Sequence, residues 1–518
     1  MRRAYKHLVL VALVSLFVSL GMTSSYQEGS LAQTAAQPNI VFILADDMRK
    51  DDLSKTYMPQ TTTELVEKGM SFQNAFVSNA LCCPSRATIM RGQYSHNTDI
   101  WFNTNVYNPD PNVRDGGWLG YNGNRYEDDN VATNLQAVGY TTGLFGKYLN
   151  GYNETTVPPT TPPPGWDRWF AFTKLGYYNY DVNDNAVNEN GEIIHYGTKT
   201  TDYSTDVLSS QVQNFIREKA AQSKPFFAYV APYAPHAPAT PAPRDKQTFN
   251  QAKAPRLPSF NERDVSDKPP WIQSLRRLTS DDIANIDQRH ENRVESLQAV
   301  DDLVAAVVRT LGEKPEVLAN TYIVFTSDNG FHHGEHRIRL GKARPYEESV
   351  RVPLVIRGPG VQPPVPPEEQ PDELVLNTDY FPTFMELAGT QPPPYVDGRS
   401  LLPILTGPAP TSWRTAILIE GRKNSADPEI VLDRNYNGIR TSISKYIQYE
   451  SISGSASIHE LYDLTPSVDP YELTNTYSSA NPDVPPLSDL RAQLNALKGC
   501  QPDDPATQSC QTAEGGQQ

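Results

Sequence analysis

The chain has 518 residues, of which 38% are hydrophobic and 20% charged, and its formal net charge is −15 at pH 7. This composition is typical of a globular chain, not of a disordered or membrane-embedded one, and the length exceeds what one small core needs. The acidic balance argues against a basic nucleic-acid-binding surface. A pocket for an anionic substrate would have to supply its own positive charge.

The N-terminal segment has the pattern of an export signal. Basic residues at positions 2, 3 and 6 precede the apolar run 8–22, and small residues follow. This order is typical of a cleaved signal peptide; an uncleaved anchor helix is the alternative, although the run is short for a membrane span. We therefore expect a signal peptide at residues 1–36. The mature chain would be secreted, periplasmic or lysosomal and not membrane-bound.

Apolar strands alternate with helices along residues 38–408. The predicted strands are residues 39–45, 140–145, 225–231 and 321–326, and the predicted helices are residues 58–68, 131–138, 209–221 and 294–311. Continuous apolar, β-branched runs are typical of strands that are buried on both faces. Their alternation with helices predicts an α/β fold with a mostly parallel sheet covered by helices.

The pattern changes after about residue 408. Short alternating segments joined by polar turns follow, and then a helix: 415–419, 436–441, 445–450, 459–463 and 487–497. Alternation of this kind predicts a small antiparallel sheet. We therefore expect a large domain at residues 38–408 and a small C-terminal α+β domain at residues 409–518.

Polar residues follow four of the predicted strands: Asp46, Asp47, Lys147, His236, Asp328 and Asn329. Ligands of such sheets bind at the carboxyl ends of the strands. Adjacent carboxylates at the end of a buried strand repel each other unless a cation lies between them, and an all-oxygen ligand set favours Ca²⁺ or Mg²⁺ over Zn²⁺. Solvated loop aspartates or helix caps are the alternative for either pair taken alone.

Residues 82–92 read Cys-Cys-Pro-Ser-Arg-Ala-Thr-Ile-Met-Arg-Gly. Pro84 suits the first turn of a helix and Gly92 its end, so Cys82 is predicted just before a helix N-terminus, where free backbone N–H groups favour an anion. Arg86 adds a fixed positive charge with planar donors. A reactive group beside such a site suggests attack on a sulfate-like or phosphate-like ester; a buried structural cysteine pair is the alternative.

Further candidate residues are cationic. Lys147, His236 and Lys342 each follow a strand or lie in a glycine-containing loop, and together they could bind a tetrahedral dianion, although each alone is commonly a surface or loop residue. The loop 331–336 holds three of the nine histidines. It could be interpreted as a zinc site, but the nearby carboxylates and the lack of a Cys/His framework favour sulfate binding or proton transfer, with His336 as the candidate.

The four cysteines fall into two pairs. In an exported chain, Cys500 and Cys510 close a short loop and are expected to form a disulfide. A bond between the neighbours Cys82 and Cys83 would be strained, so these two need another explanation.

Together these motifs resemble the type I sulfatases of the alkaline-phosphatase-like superfamily. Cys82-x-Pro-Ser-Arg86 with Gly92, an early Asp-Asp and a later Asp-Asn-Gly stand in that family's order over nearly the whole mature chain. Residues 145–150 and the Cys500/Cys510 pair look most like N-acetylglucosamine-6-sulfatases and related glycan sulfatases. The resemblance implies a helix-sandwiched sheet and hydrolysis of a sulfated sugar or aryl sulfate ester.

The resemblance also implies roles for single residues. A formylglycine-generating enzyme would convert Cys82 to Cα-formylglycine (3-oxoalanine), and Arg86 would hold its hydrate. The metal, Ca²⁺ with Mg²⁺ as the alternative, would be bound by Asp46, Asp47, Asp328, Asn329 and the modified Cys82. The residues implied in binding sulfate or assisting the leaving group are Lys147, His236, Lys342 and His336.

One position departs from the family pattern, and two other functions stay open. Many sulfatases have a histidine two residues after the Lys147 position, where this chain has Leu149; that role is vacant or has moved, with Asn150 and His336 as candidates. A phosphonate monoester or phosphodiester hydrolase could use the same groups, because sulfate and phosphate are both tetrahedral. The third hypothesis is a non-catalytic sulfated-glycan-binding protein.

Overall fold

The computed structural model describes residues 37–104, 115–153, 162–186, 191–363, 370–407, 410–423, 434–451, 457–477, 487–502 and 509–516. The predicted signal peptide, residues 1–36, lies outside them. Residues 37–518 form one compact unit. The predicted domain boundary, at residues 408–409, also falls outside the described residues and stays a prediction.

The strands account for every strand predicted above, to within two residues at each end. In chain order they are β1 Asn39–Ala45, β2 Met70–Ser71, β3 Ala75–Phe76, β4 Thr141–Gly146, β5 Arg168–Lys174, β6 Tyr180–Asp184, β7 Glu192–Tyr196, β8 Phe226–Ala231, β9 Thr321–Ser327, β10 Leu354–Arg357, β11 Val375–Leu376, β12 Ala416–Gly421, β13 Tyr436–Thr441, β14 Ser444–Tyr449 and β15 Ile458–Asp463.

The helices range from single turns to one long helix. In chain order they are α1 Pro59–Thr61, continued by a π-helical turn at Thr62–Val66, α2 Cys82–Arg91, α3 Ser95–Thr98, α4 Gly117–Gly123, α5 Val131–Ala137, α6 Ser204–Ala220, α7 Pro270–Gln273, α8 Ser280–Gly312, α9 Pro315–Ala319, α10 Glu347–Val350, α11 Tyr380–Leu387, α12 Leu402–Thr406, α13 Leu487–Leu497 and α14 Cys510–Ala513. In the described part of the chain, none has both the length and the apolarity that a membrane span requires.

The main sheet has nine strands in the order β2-β10-β9-β1-β8-β4-β5-β6-β7. The central strands β9, β1, β8, β4 and β5 pair in parallel, whereas β10 and β2 at one edge and β6 and β7 at the other pair antiparallel. The predicted mostly parallel α/β fold is confirmed. Because parallel strands end at the same edge, the residues after β1, β4, β8 and β9 are brought to one rim.

Helices cover both faces of this sheet. In the buried strand β1, Phe42 belongs to the apolar core that includes α2, α5 and α11, and its neighbour Ile43 belongs to the core that includes α6 and α8. Successive side chains of a strand point to opposite faces. A run of consecutive apolar residues is therefore what a strand between two helical layers needs.

Helix α8 is much longer than predicted, because only its C-terminal half carries an apolar stripe. Its N-terminal half is polar, and a capping box begins it: Thr279 accepts a hydrogen bond from Asp282 N at 3.3 Å, and Asp282 accepts one from Thr279 N at 2.9 Å. These reciprocal bonds satisfy backbone donors that the first turn leaves open. A capping signal, not periodicity, marks the true start of the helix.

The C-terminal residues form a four-stranded antiparallel sheet in the order β12-β13-β14-β15, with α13 against it, as predicted. Its first strand also contacts the larger part, because Glu420 N donates to Ser78 O at 2.8 Å. Cys500 and Cys510 form the predicted disulfide. Cys82 and Cys83 are buried and unbonded to each other.

The disulfide is expected to stabilise the chain by shortening the loops of its unfolded state. Its cysteines are 10 residues apart, for which chain entropy gives about 3 kcal/mol. Replacing both cysteines by serine should lower the thermal midpoint, measured by calorimetry or circular dichroism. A reductant should lower the midpoint of the native chain but not that of the double variant; equal responses would contradict the prediction.

Candidate active site

Two pairs of polar residues meet where β1 and β9 end. Asp46 and Asp47 follow β1, and Asp328 and Asn329 follow β9. Asp47 adopts a left-handed backbone (φ 67°), its N–H donates to Asp328 Oδ1 at 3.0 Å, and its Oδ1 accepts from Asn329 Nδ2 at 2.8 Å. All four side chains are buried, so three carboxylates share one space without bulk water.

Cys82 lies against these carboxylates. It is the first residue of α2, not the residue before the helix as predicted, and Leu81 is the N-cap. Its Sγ is 3.4 Å from Asp46 Oδ1, 3.7 Å from Asp47 Oδ1 and 2.9 Å from Lys342 Nζ. Gly92 ends the helix with φ 65°, as the sequence predicts. The thiol is thus at a helix N-terminus, between acidic groups and a cation.

Four cationic or titratable side chains surround the carboxylates. The contacts are Lys147 Nζ to Asp46 Oδ2 at 2.7 Å, Lys342 Nζ to Asp47 Oδ1 at 2.6 Å, Arg86 Nε to Asp328 Oδ2 at 2.8 Å and His236 Nε2 to Asp47 Oδ2 at 3.6 Å. The two lysines and the arginine are at most 1% exposed. The three buried carboxylates therefore face three permanent positive charges, which offsets the cost of burying each of them.

These charges decide the protonation of the acids. Burial by itself raises the pKa of Asp46, but Lys147 and His236 hold it well below its usual range. The pKa of Asp47 is lowered to about 2, because Lys342 and His236 outweigh the effect of burial. Burial and Asp46 raise the pKa of Asp328, against the charge of Arg86.

Burial dominates the pKa of the Cys82 thiol, as it does that of Asp328. Burial raises its pKa well above the usual value, and the nearby lysines do not reverse that. A thiol is a nucleophile only as the thiolate. The unmodified side chain at this position is therefore a poor nucleophile near neutral pH.

The residues present fit a hard divalent cation. Ligand atoms of Asp46, Asp47, Cys82 and His236 lie within 4.8 Å of one another. Asn329 Oδ1 is buried without a hydrogen-bond partner among the described residues, which is costly unless a cation or a donor reaches it. Carboxylate and amide oxygens are the ligands that Ca²⁺ and Mg²⁺ prefer.

Arg293 is a residue of this site that the sequence analysis missed. From α8 it donates through Nη1 to Pro235 O at 3.1 Å and through Nη2 to Asp47 O, and its guanidinium lies 4.4 Å from the centre of the Phe331 ring. It thereby holds the backbones that carry Asp47 and His236. A signal existed: Arg293 precedes Leu297 and Val300 at helical spacing, so it lies on the apolar face of α8.

His336 and Leu149 are not in the group around Cys82. Among the described residues, the side-chain contacts of His336 are Nδ1 to Glu262 Oε2 at 2.7 Å, Nε2 to Glu348 Oε2 at 3.9 Å and the ring of Tyr346. Leu149 is buried in the apolar core. Leu149 therefore contributes to packing. The structure does not bring His336 to the position at which many sulfatases have a histidine.

Comparison with known proteins decides the family. Residues 38–390 match the family model described as Sulfatase, and residues 334–499 match the one described as N-sulphoglucosamine sulphohydrolase, C-terminal. The chain belongs to the sulfatase family. The predicted enzyme class, sulfuric ester hydrolase, is confirmed.

The relatives of this sulfatase span most of its length. It is 33% identical to human N-acetylglucosamine-6-sulfatase, over 91% of this chain and 86% of that protein, and 31% identical to an arylsulfatase of Chlamydomonas reinhardtii, over 90% and 76%. A structure solved in complex with its substrate D-glucosamine-2-N,6-O-disulfate has a TM-score of 0.69 and 25% identity, over 89% of this chain and 97% of that one.

Replacing Arg293 is expected to impair catalysis through the backbones that it holds, and not through the loss of a substrate contact. Arg293→Met keeps much of the side-chain volume but removes both backbone contacts, and loss of such supporting groups typically costs about 10–100-fold in metal affinity or activity. The measurement is kcat/KM for nitrophenyl sulfate together with divalent-cation affinity. Arg309→Met, at an exposed position in the last turn of the same helix, is the control; equal losses in both variants would contradict this role.

Proposed function

We propose that this sulfatase hydrolyses the sulfate ester of a sulfated sugar of the glucosamine-6-sulfate kind, or of an aryl alcohol. It would use a formylglycine made from Cys82 and a divalent cation, Ca²⁺ in preference to Mg²⁺. The observation that carries the proposal is the position of Cys82 Sγ, within 3.7 Å of Asp46, Asp47 and Lys342 in one buried group. The names of the relatives support the substrate class.

The cation would be held by oxygen ligands from two strand ends and one helix: Asp46, Asp47, Asp328, Asn329 and the modified Cys82. Together, the formylglycine and the cation would supply a hydroxyl nucleophile near neutral pH and a second hydroxyl through which the residue could be reset after sulfate leaves. Serine or an unmodified cysteine has no second hydroxyl. That chemistry explains why a cysteine with a raised pKa can stand at the position of a nucleophile.

The chain's own cations would bind and orient the substrate. The Lys147 and Lys342 ammonium groups are buried beside Cys82, where they are placed to bind oxygens of a sulfate group. Arg86 is fixed between Asp328 Oδ2 and Lys147 O, at 2.8 Å from each, and would orient the side chain at position 82. In a dry site such charges act strongly on a developing anion, which offsets the acidity of the whole chain.

His236 would protonate the leaving alcohol. Its Nδ1 donates to Ala237 O at 2.8 Å, since a carbonyl can only accept, and this bond turns Nε2 toward Asp47 Oδ2. The ring is thereby oriented with one nitrogen toward the reacting region, as a general acid requires.

We also propose that the chain is matured at Cys82 and exported. Cys82 is buried, so conversion by a formylglycine-generating enzyme would have to precede complete folding. The basic and apolar N-terminal pattern supports cleavage of residues 1–36 and a secreted, periplasmic or lysosomal location. The catalytic domain would be residues 38–408, with residues 409–518 as the smaller domain.

The Cys82→Ala variant is expected to lose turnover of nitrophenyl sulfate and keep its fold, because alanine removes only the group that becomes the nucleophile. Both forms are produced with a maturation enzyme, and peptide mass spectrometry around position 82 reports the conversion. Cys83→Ala is the matched control and should retain both conversion and most activity. Full activity of Cys82→Ala, or a fully active chain with unconverted Cys82, would refute the assignment.

A substrate comparison separates the remaining hypotheses. We expect a higher kcat/KM for nitrophenyl sulfate than for a nitrophenyl phosphodiester, and sulfate release from sulfated glucosamine. A preference for the phosphodiester would favour a phosphonate monoester or phosphodiester hydrolase. Binding of sulfated glycans with no release of sulfate by the converted chain would favour a glycan-binding protein.

Removal of the metal tests whether a divalent cation takes part in the reaction. Dialysis against EGTA, which binds Ca²⁺ far more tightly than Mg²⁺, should reduce kcat strongly while the Cys82 conversion persists. Addition of Ca²⁺ should restore it, and Mg²⁺ should restore less. Activity that survives complete removal of divalent metal would contradict a metal-assisted mechanism.

A further inference from the structure

A second group of metal-binding side chains lies outside the group around Cys82. The His336 cluster, defined as His336, Glu348 and Glu472, has ligand atoms within 4.8 Å of one another. His336 is fully buried, Glu472 is 1% exposed, and the Glu348 side chain is 8% exposed. The three residues come from the loop after β9, from α10 and from the segment after β15, so the cluster joins distant parts of the chain.

His336 is oriented as a metal ligand would be. Its Nδ1 lies 2.7 Å from Glu262 Oε2, and hydrogen bonding to that carboxylate places the ring proton on Nδ1. In the neutral ring, Nε2 then presents a lone pair to the cluster, and it has no hydrogen-bond partner among the described residues. Histidines that bind metals commonly donate their other N–H to a carboxylate in this way.

Glu348 has one oxygen held by the protein and one without a partner, whereas both oxygens of Glu472 have protein contacts. Glu348 Oε1 accepts from the Ser259 hydroxyl at 3.2 Å, and its Oε2 has no hydrogen-bond partner in the described part of the chain. Glu472 Oε2 accepts from Glu347 N at 2.9 Å, and its Oε1 lies 2.7 Å from Lys445 Nζ in an ion pair. An ion-paired carboxylate oxygen keeps a second lone pair that can bind a metal.

The spacing suits a cation better than a direct contact. His336 Nε2 and Glu348 Oε2 are 3.9 Å apart, which is too long for a hydrogen bond. Zinc binds nitrogen and oxygen at about 2.0–2.2 Å, so two ligands this far apart can reach one ion between them. A cavity of about 280 Å³, lined by Glu348, Lys50 and Tyr471 among others, reaches the cluster at Glu348.

The cluster could hold a proton in place of a metal ion. Glu348 and Glu472 place two carboxylates beside His336 in a buried space, and a proton on His336 or on one carboxylate would reduce their repulsion. Lys445 supplies one charge but is shared with Glu347, which it contacts at 2.8 Å. A divalent cation would provide positive charge and satisfy the unpartnered atoms at the same time.

We propose that His336, Glu348 and Glu472 bind a divalent cation of the zinc class, distinct from the cation of the active site. A histidine nitrogen with two carboxylate oxygens suits Zn²⁺ better than Ca²⁺. The ion fastens the loop after β9 to α10 and to the segment after β15, and its role is structural. The loop 331–336 thus contains a zinc ligand, but through His336 alone, with partners that are distant in sequence.

The test measures zinc with the active site saturated by calcium. The chain is stripped of metal, dialysed against micromolar Zn²⁺ with millimolar Ca²⁺, and analysed by elemental mass spectrometry and thermal unfolding. We expect about one zinc per chain and a zinc-dependent rise of the thermal midpoint. Both should disappear in His336→Gln and weaken at least tenfold in Glu348→Gln, which keeps an oxygen for Ser259.

Two further variants locate the ion. Asp328→Asn, which alters the active-site acids, and His195→Gln, which changes an exposed histidine on β7, should both keep the zinc. If His336→Gln does not fold, Glu348→Gln provides the test of the cluster. No zinc on the native chain, equal zinc on the native and both cluster variants, or zinc lost only in Asp328→Asn would overturn the proposal.

Discussion

The burial of three carboxylates in one dry space is the constraint on which the rest of the site depends. Asp46, Asp47 and Asp328 would repel one another strongly without water, yet they are almost fully buried. Lys147, Lys342 and Arg86 make that burial tolerable. Removing one partner would leave an uncompensated buried charge, which is costly.

The parallel sheet is what assembles this set from distant parts of the chain. Strands β9, β1, β8 and β4 are consecutive neighbours, with Ala45 opposite Ser327 and Gly146 opposite Ala231, so the residues that follow them arrive at one rim. The N-terminus of α2 then adds Cys82 from the side of the rim. Arg293 fixes the loop backbones after β1 and β8, where the sheet no longer does.

The chemistry of a sulfatase is consistent with this arrangement. A chain with net charge −15 repels anions at a distance, so recognition of a sulfate group depends on a few buried cations at short range. In the His336 cluster, too, buried carboxylates lie beside groups that supply positive charge. The proposed ion of that cluster would stabilise the fold and would take no part in the reaction.

The sequence by itself determined the buried strands, the polar residues at their ends, the helix at the Cys82 motif with its end at Gly92, and the Cys500–Cys510 pair, because periodicity, glycine and spacing are local signals. Only the tertiary structure decided the place of His336 and the role of Arg293. A left-handed backbone at His336 (φ 51°) and a partner 74 residues away, Glu262, direct that side chain away from Cys82. Loop conformation and charge pairing depend on contacts between residues far apart in the chain, and local patterns do not encode them.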